Sequence, residues 1–224
     1  MPGLPPALAE ALAAGGEGLP KRERTRRQLL QAAIAVYMAR GVTGATIQEI
    51  ARVAGVANGT VYNHFETLDQ IAYAVALWMA ETLCRRITDS QQAVKEGAER
   101  MAIGNRRYLW LAEQSPAWAV MLLEVGAAAP EGLAQIQQYV LADLRLGVKH
   151  KSFRIASEAA ALDLINGTVA AGMRRIAMGL APEGHATAVT TTVLMGLGMM
   201  EKQAAAVAAR PLPDFPPLAA QERA

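Results

Sequence analysis

Between Thr46 and Phe65 the chain reads TIQEIARVAGVANGTVYNHF, and this stretch gathers hydrogen-bonding side chains of the kinds that contact a nucleic-acid duplex. Gln48 and Asn58 carry amides, and an amide that donates and accepts side by side can make paired hydrogen bonds to adenine. Thr60 offers a hydroxyl to a phosphate and a methyl to thymine. Tyr62, Asn63 and His64 can donate to phosphate oxygens, which fixes the register of a protein on DNA without reading its sequence. Gly59 lets the backbone approach a duplex closely. Thr46 completes the candidate DNA-binding set and can also cap a helix.

Other chemistries find no support. His64, His150 and His185 are scattered, and no His/Cys/carboxylate spacing matches a metal site. There is no Gly-rich phosphate loop and no nucleophile beside a base. The expectation is a protein without a metal or cofactor that is not an enzyme.

Positioning those polar residues requires a bend. Ile50 and small Ala51 fall on the inner face of one helix, and Ala51 allows a second helix to cross it closely. Gly55 occupies the turn, where a positive φ is needed and a side chain is expected to clash. Val56 and Val61 close the small core from the turn and the next helix. Thr46 and Glu49 have capping-box spacing, as do Thr67 and Gln70. This is the helix-turn-helix pattern, in which the second helix is offered to the major groove.

The totals agree with an all-helical chain. Of 224 residues 52% are hydrophobic, 19% charged and 5% aromatic. Alanine, leucine, valine and methionine supply the bulk of the apolar set, and all but valine favour helices. No alternating strand pattern appears, and nine helices are expected. They run over about 24–40, 46–55, 58–63, 67–88, 93–114, 116–129, 131–148, 157–180 and 185–208. The spacing divides the chain into a flexible arm (1–20), a reader (21–66), a larger helical body (67–209) and a Pro-rich tail (210–224). The net charge is only +2, yet residues 21–64 hold seven basic residues against Glu23 and Glu49, leaving 15 basic and 18 acidic elsewhere. A basic end beside a mildly acidic bulk suits a polyanion partner.

No apolar run is long enough to cross a membrane. The most apolar stretch, His185 to Met200, is interrupted by four threonines and two glycines. The N-terminus lacks the basic region of a secretory signal, and Cys84 is the sole cysteine, so a cytoplasmic location is expected.

The runs TRRQLLQAAIAVYMARG and TIQEIARVAGVANGTVYNHF resemble the DNA-binding region of the tetracycline-repressor (TetR) family over about residues 25–72. The resemblance implies a three-helix reader followed by a ligand-binding and dimerising body, with Tyr62 and His64 at phosphate-facing positions. Two residues depart from the family pattern. Ala57 stands where a serine or threonine usually caps the recognition helix, and Leu68 where a lysine usually sits over a phosphate. Arg22, Arg24, Arg26 and Arg27 could compensate as a mobile basic arm reaching the minor groove.

The resemblance also implies a homodimer built from helices 157–180 and 185–208. Their small residues Ala160, Gly167, Ala171, Gly172, Ala188, Gly196 and Gly198 allow close backbone approach. Met101, Tyr108, Trp110, Trp118, Met121 and Met173, with Trp78 and Met178, are candidate lining for an adaptable pocket; the same residues also suit an ordinary core. The expected function is a palindromic-operator regulator, a repressor released by a small apolar or aromatic effector. The alternative is a helical protein-interaction module that leaves DNA untouched, encouraged only by Ala57 and Leu68.

Overall fold

Eleven helices form among the residues described by the structure, a computed structural model covering residues 3–14, 18–128 and 134–218. They are α1 (Pro6–Ala13), α2 (Lys21–Arg40), α3 (Ile47–Ala54), α4 (Asn58–Tyr62), α5 (Leu68–Ser90), α6 (Gly97–Gln114), α7 (Pro116–Ala128), α8 (Ala134–Lys149), α9 (Glu158–Ala177), α10 (His185–Gly196) and α11 (Glu201–Ala208). No strand occurs among the described residues. The expected boundary at Pro130 and the last six residues of the tail lie outside them.

Two helices exceed the expected nine. The supposed arm contains α1, whose Leu8 and Leu12 are 2% and 1% exposed. The Gln31 amide on α2 donates to the Leu12 carbonyl at 3.2 Å, so this segment is packed rather than loose. The expected helix over 185–208 is instead two, because Gly198 takes φ +99 and the Leu197 carbonyl accepts from the Arg154 amide at 2.8 Å. The left-handed Gly198 turns the chain out of the helix, and the freed Leu197 carbonyl is satisfied by the loop.

The described residues form two compact units, one reaching Thr82 and including the residues from Pro217 onward, the other Leu83–Pro216. The first unit therefore extends beyond the expected boundary at residue 66. Three helices alone offer little apolar surface, and the first half of α5 adds fully buried Ile71 and Val75.

The second unit is built on one apolar cluster. Met101 and Leu109 of α6, Leu144 of α8, Ile165 and Met173 of α9, and Val193 of α10 all belong to it. At the start of α6, a Cβ added to Gly97 would overlap the Gly147 backbone of α8, so these helices meet main chain to main chain. Beside that contact sits a polar group that periodicity does not announce. Arg100 donates to Asp143 at 2.6 Å, and Gln91 donates to the other carboxylate oxygen at 3.0 Å. The sole cysteine, Cys84, is 3% exposed, with its sulfur 3.1 Å from the Tyr108 hydroxyl.

The Pro-rich tail is also not loose as far as it is described. Arg86 donates to the Pro216 carbonyl at 2.6 Å, Arg107 donates to Pro213, and Arg106 donates to Arg210. Arg210 pairs with Glu99. Proline blocks helix formation here but leaves every carbonyl available, and buried guanidinium groups require acceptors.

Candidate nucleic-acid interface

The polar tip is aimed by a small set of contacts. Thr46 caps α3, its hydroxyl accepting from the Glu49 amide at 3.2 Å. Ile50 and Ala51 are 0% and 2% exposed, and Val61 of α4 is 0% exposed. Between the helices Gly55 adopts φ 68, ψ 32, a left-handed conformation that costs other L-residues roughly 1–2 kcal/mol. The expected clash is absent, since an added Cβ would meet nothing within 4 Å. The demand for glycine is torsional rather than steric. The Val56 amide then returns to the Ala51 carbonyl at 3.0 Å, and the Gln28 amide of α2 donates to the Ala54 carbonyl at 2.6 Å. That bond fixes the end of α3 against α2, and nothing in the spacing of Gln28 points to it.

With Val61 turned inward, the rest of α4 faces out. Gln48, Asn58, Gly59 and Asn63 are exposed, and Tyr62 is 55% exposed, too much for a core side chain. Thr60 and His64 are half-buried. The Thr46 hydroxyl is already engaged, hydrogen-bonded to both the amide and the carboxylate of Glu49. Seven of the eight expected DNA-contacting residues thus lie on α3, α4 and the two residues after α4, near one another in sequence and at least partly open to solvent. Ala57, at the N-cap with φ −71 and ψ 152, makes no side-chain cap.

The neighbouring cations differ from expectation. Helix α2 begins at Lys21, so Arg22, Arg24, Arg26 and Arg27 stand on a helix and do not form a mobile arm. Arg26 lies 5.1 Å from the centre of the Phe65 ring, and Arg27 lies 5.1 Å from that of Trp78. Arg27 also donates to the Ala14 carbonyl. Cation–π contacts of this kind hold a guanidinium near an aromatic face. A cavity of about 540 Å³ is lined by Arg26, Arg27, Phe65, Tyr73 and Trp78 among others, with His64 also in its wall. Partial burial pushes the His64 imidazole below its ordinary pKa, and the positive charges of Arg22 and Arg26 push it further.

The candidate ligand residues are only partly brought together. Met101 and Met173 lie in the apolar cluster of the second unit, with Tyr108 packed against it. Trp118 and Met121 of α7 are 2% and 4% exposed, and the buried Trp118 indole N–H finds no hydrogen-bond partner among the described residues. Trp110 instead faces the tail, its ring centre 5.7 Å from that of Phe215. Trp78 belongs to the first unit, and Met178 is 62% exposed, so neither fits the expected pocket in the body.

Among the described residues no group of three or more His, Cys, Asp or Glu side chains could hold a metal ion. No helix among them is long and apolar enough to cross a membrane.

Comparison with known proteins gives a consistent picture. Residues 29–75 match the family profile "Bacterial regulatory proteins, tetR family", and residues 96–210 match "Tetracyclin repressor-like, C-terminal domain". SrpR, an HTH-type transcriptional regulator of Pseudomonas putida, is 45% identical over 53 residues, 24% of this chain and 25% of its own length. TtgW, also of Pseudomonas putida and described as an uncharacterized HTH-type transcriptional regulator, is 43% identical over 53 residues, 24% of this chain and 40% of its own length. The chain thus spans well under half of either curated relative. Among solved structures, RolR in complex with resorcinol is 27% identical with a TM-score of 0.76, covering 88% of this chain and 98% of its own. FadR of Bacillus subtilis in complex with stearoyl-CoA shares the fold at 17% identity and a TM-score of 0.62, covering 77% and 98%. The C-terminal profile alone takes in just over half of the residues, and this chain belongs to the TetR family of helix-turn-helix transcriptional regulators.

Proposed function

We propose that the chain acts as a homodimeric repressor that binds a palindromic operator through α3 and α4 and is released by a small apolar or aromatic effector held in the helical body. The observation that carries this reading is the orientation of α4, with Val61 buried and Asn58, Tyr62 and Asn63 on the outside. In this reading Gln48 and Asn58 read base edges, Thr60 contributes a hydroxyl and a methyl, and Tyr62, Asn63 and His64 hold phosphates. Gly59 leaves room at the closest approach.

Dimerisation has two supports. A single five-residue recognition helix gives little affinity, whereas two joined helices read half-sites one helical turn apart, about 34 Å. Helices α9 and α10 also leave an uncommitted surface. Ala160, Gly167 and Ala171 along α9 and Met178 just after it are exposed at helical spacing, as are Ala188, Thr192 and Met195 along α10. Gly172 and Gly196 are used internally, since an added Cβ at either would press on Leu109 or Leu164. An aromatic effector is favoured by the resorcinol bound to RolR and by Met101, Met173 and Tyr108 around one apolar cluster. The effector need only prefer a body shape that misplaces the two recognition helices.

The test is selection of bound fragments from random duplex DNA, followed by salt titration of the recovered site. A two-fold site whose affinity falls steeply with salt is expected. The double substitution Asn58→Ala, Tyr62→Ala should abolish the preference for that site. Unchanged affinity in the double variant would rule out α4 as the reading helix.

A further inference from the structure

The tail lies over two arginines whose charge is not neutralised by a paired carboxylate. Arg86 of α5 and Arg107 of α6 are 5% and 6% exposed. Among the described residues neither forms an ion pair, and the Nε–H of each is buried without a hydrogen-bond partner. Their terminal nitrogens donate to neutral acceptors, the carbonyls of Pro216 and Pro213. Between these carbonyls Phe215 inserts its ring, 3.9 Å from the Arg107 guanidinium carbon and 5.4 Å from that of Arg86. Trp110 supplies a second aromatic surface, 5.7 Å away from Phe215 centre to centre. Asp214 is exposed; its charge acts on Arg107 without direct pairing and does not offset the burial of that guanidinium.

Buried cations are normally matched by an anion, because their desolvation is not recovered from neutral carbonyls alone. A guanidinium is shaped for a two-oxygen acceptor and stacks readily on aromatic rings. Residues 213–216 supply the ring and single oxygens from two separate peptide groups, but no carboxylate in contact with either arginine. They occupy the cradle as an incomplete ligand.

We propose that Arg86, Arg107 and Trp110 form a binding site for an aromatic carboxylate, and that residues 213–216 fill it when no such compound is present. The incoming ring takes the position of Phe215, and the carboxylate replaces the Pro213 and Pro216 carbonyls on the arginines. Trp110 packs on Phe215 and not on the apolar cluster that holds Met101 and Met173, and the proposal does not rest on the effector pocket named above. It also does not depend on the reading of operator DNA.

Titration calorimetry on the full chain, with benzoate as the probe, tests the proposal. A site occupied by its own tail has an apparent affinity reduced by the fraction of time it is open, so Phe215→Ala should bind benzoate about tenfold or more tightly than the parent. Benzyl alcohol, which keeps the ring and lacks the charge, should not bind detectably. Adding Arg107→Gln to Phe215→Ala should remove saturable benzoate binding. Should that variant fail to fold by circular dichroism, Arg107→Lys should still weaken binding, since an ammonium cannot provide the planar fork. Equal benzoate affinity with and without Phe215 would overturn the proposal. So would absence of benzoate binding to Phe215→Ala at millimolar concentration, equal binding of benzyl alcohol, or binding indifferent to Arg107.

Discussion

Ala57→Ser is the substitution whose effect can be worked through most completely. Ala57 sits at the N-cap of α4 with ψ 152 and no side-chain cap, while the corresponding positions of α3 and α9, Thr46 and Ser157, have ψ 153 and 155 and each caps with its hydroxyl. The Thr46 and Ser157 hydroxyls accept from amides three residues on at 3.2 and 3.1 Å. At position 57 the backbone is already extended, and because the Thr60 amide donates to the Ala57 carbonyl at 2.9 Å, a hydroxyl there would accept from the Gly59 amide, the other donor that a helix N-cap serves. A serine there should gain about 1 kcal/mol, the usual difference between a hydroxyl cap and alanine. In a chain of 224 residues that corresponds to a melting-point rise of roughly 2–4 °C. Operator affinity can rise only to the extent that the unbound helix frays, so about fivefold per recognition helix is the ceiling. Melting followed by circular dichroism, together with salt-matched mobility shifts on the selected site, measures both quantities. A melting point that stays the same or falls would show that the start of α4 is held by something other than its cap, and the reasoning would be wrong.

Three further outcomes follow from the geometry. His64 has a lowered pKa in the DNA-free protein, and a neighbouring phosphate would raise it; operator affinity should therefore increase as pH falls from about 7.5 towards 6, and His64→Gln should flatten that dependence in a shift assay. Tyr37 is 5% exposed, its hydroxyl without a hydrogen-bond partner among the described residues, and burial, helped by Asp69, pushes its pKa up to about 12. The unfolded chain ionises first, so stability present below pH 10 should fall by about 1.4 kcal/mol per pH unit between 10 and 12; denaturant titrations of Tyr37→Phe should lack this component. Asp143→Ala strands Arg100, whose side chain is 19% exposed, and should lower stability by about 3 kcal/mol or more by chemical denaturation.

Short-range rules recover the parts of the fold that depend on neighbouring residues. The caps at Thr46 and Thr67 are legible in the sequence because the partner amide lies three residues away in each case. The outward aim of Tyr62 follows from the inward demand of Val61 beside it. Gly55 is placed correctly by the sequence, and of the two reasons expected for it the structure keeps the positive φ and removes the clash, since the two demands look identical in a sequence. The features that escape join residues far apart in the chain. Gln28 to Ala54, Arg100 to Asp143, and Arg86 to Pro216 are separated by 26, 43 and 130 positions, and no period connects them. The segment before α2 reads as irregular because an eight-residue helix with two buried leucines offers too few turns for its pattern to stand out. The tail reads as loose because proline content indicates only what a segment cannot form; what holds it down is decided by arginines on α5 and α6.

One consequence concerns the lone thiol. Cys84 is the only cysteine in the chain, and its sulfur is enclosed beside the Tyr108 hydroxyl. A thiol-directed reagent can reach it only when α5 and α6 part there, so the labelling rate reports local opening at that single joint. The molecule thus carries its own clock for breathing motions, readable without any engineered tag, and slowing of that clock by an added compound would register tightening of the surrounding helices.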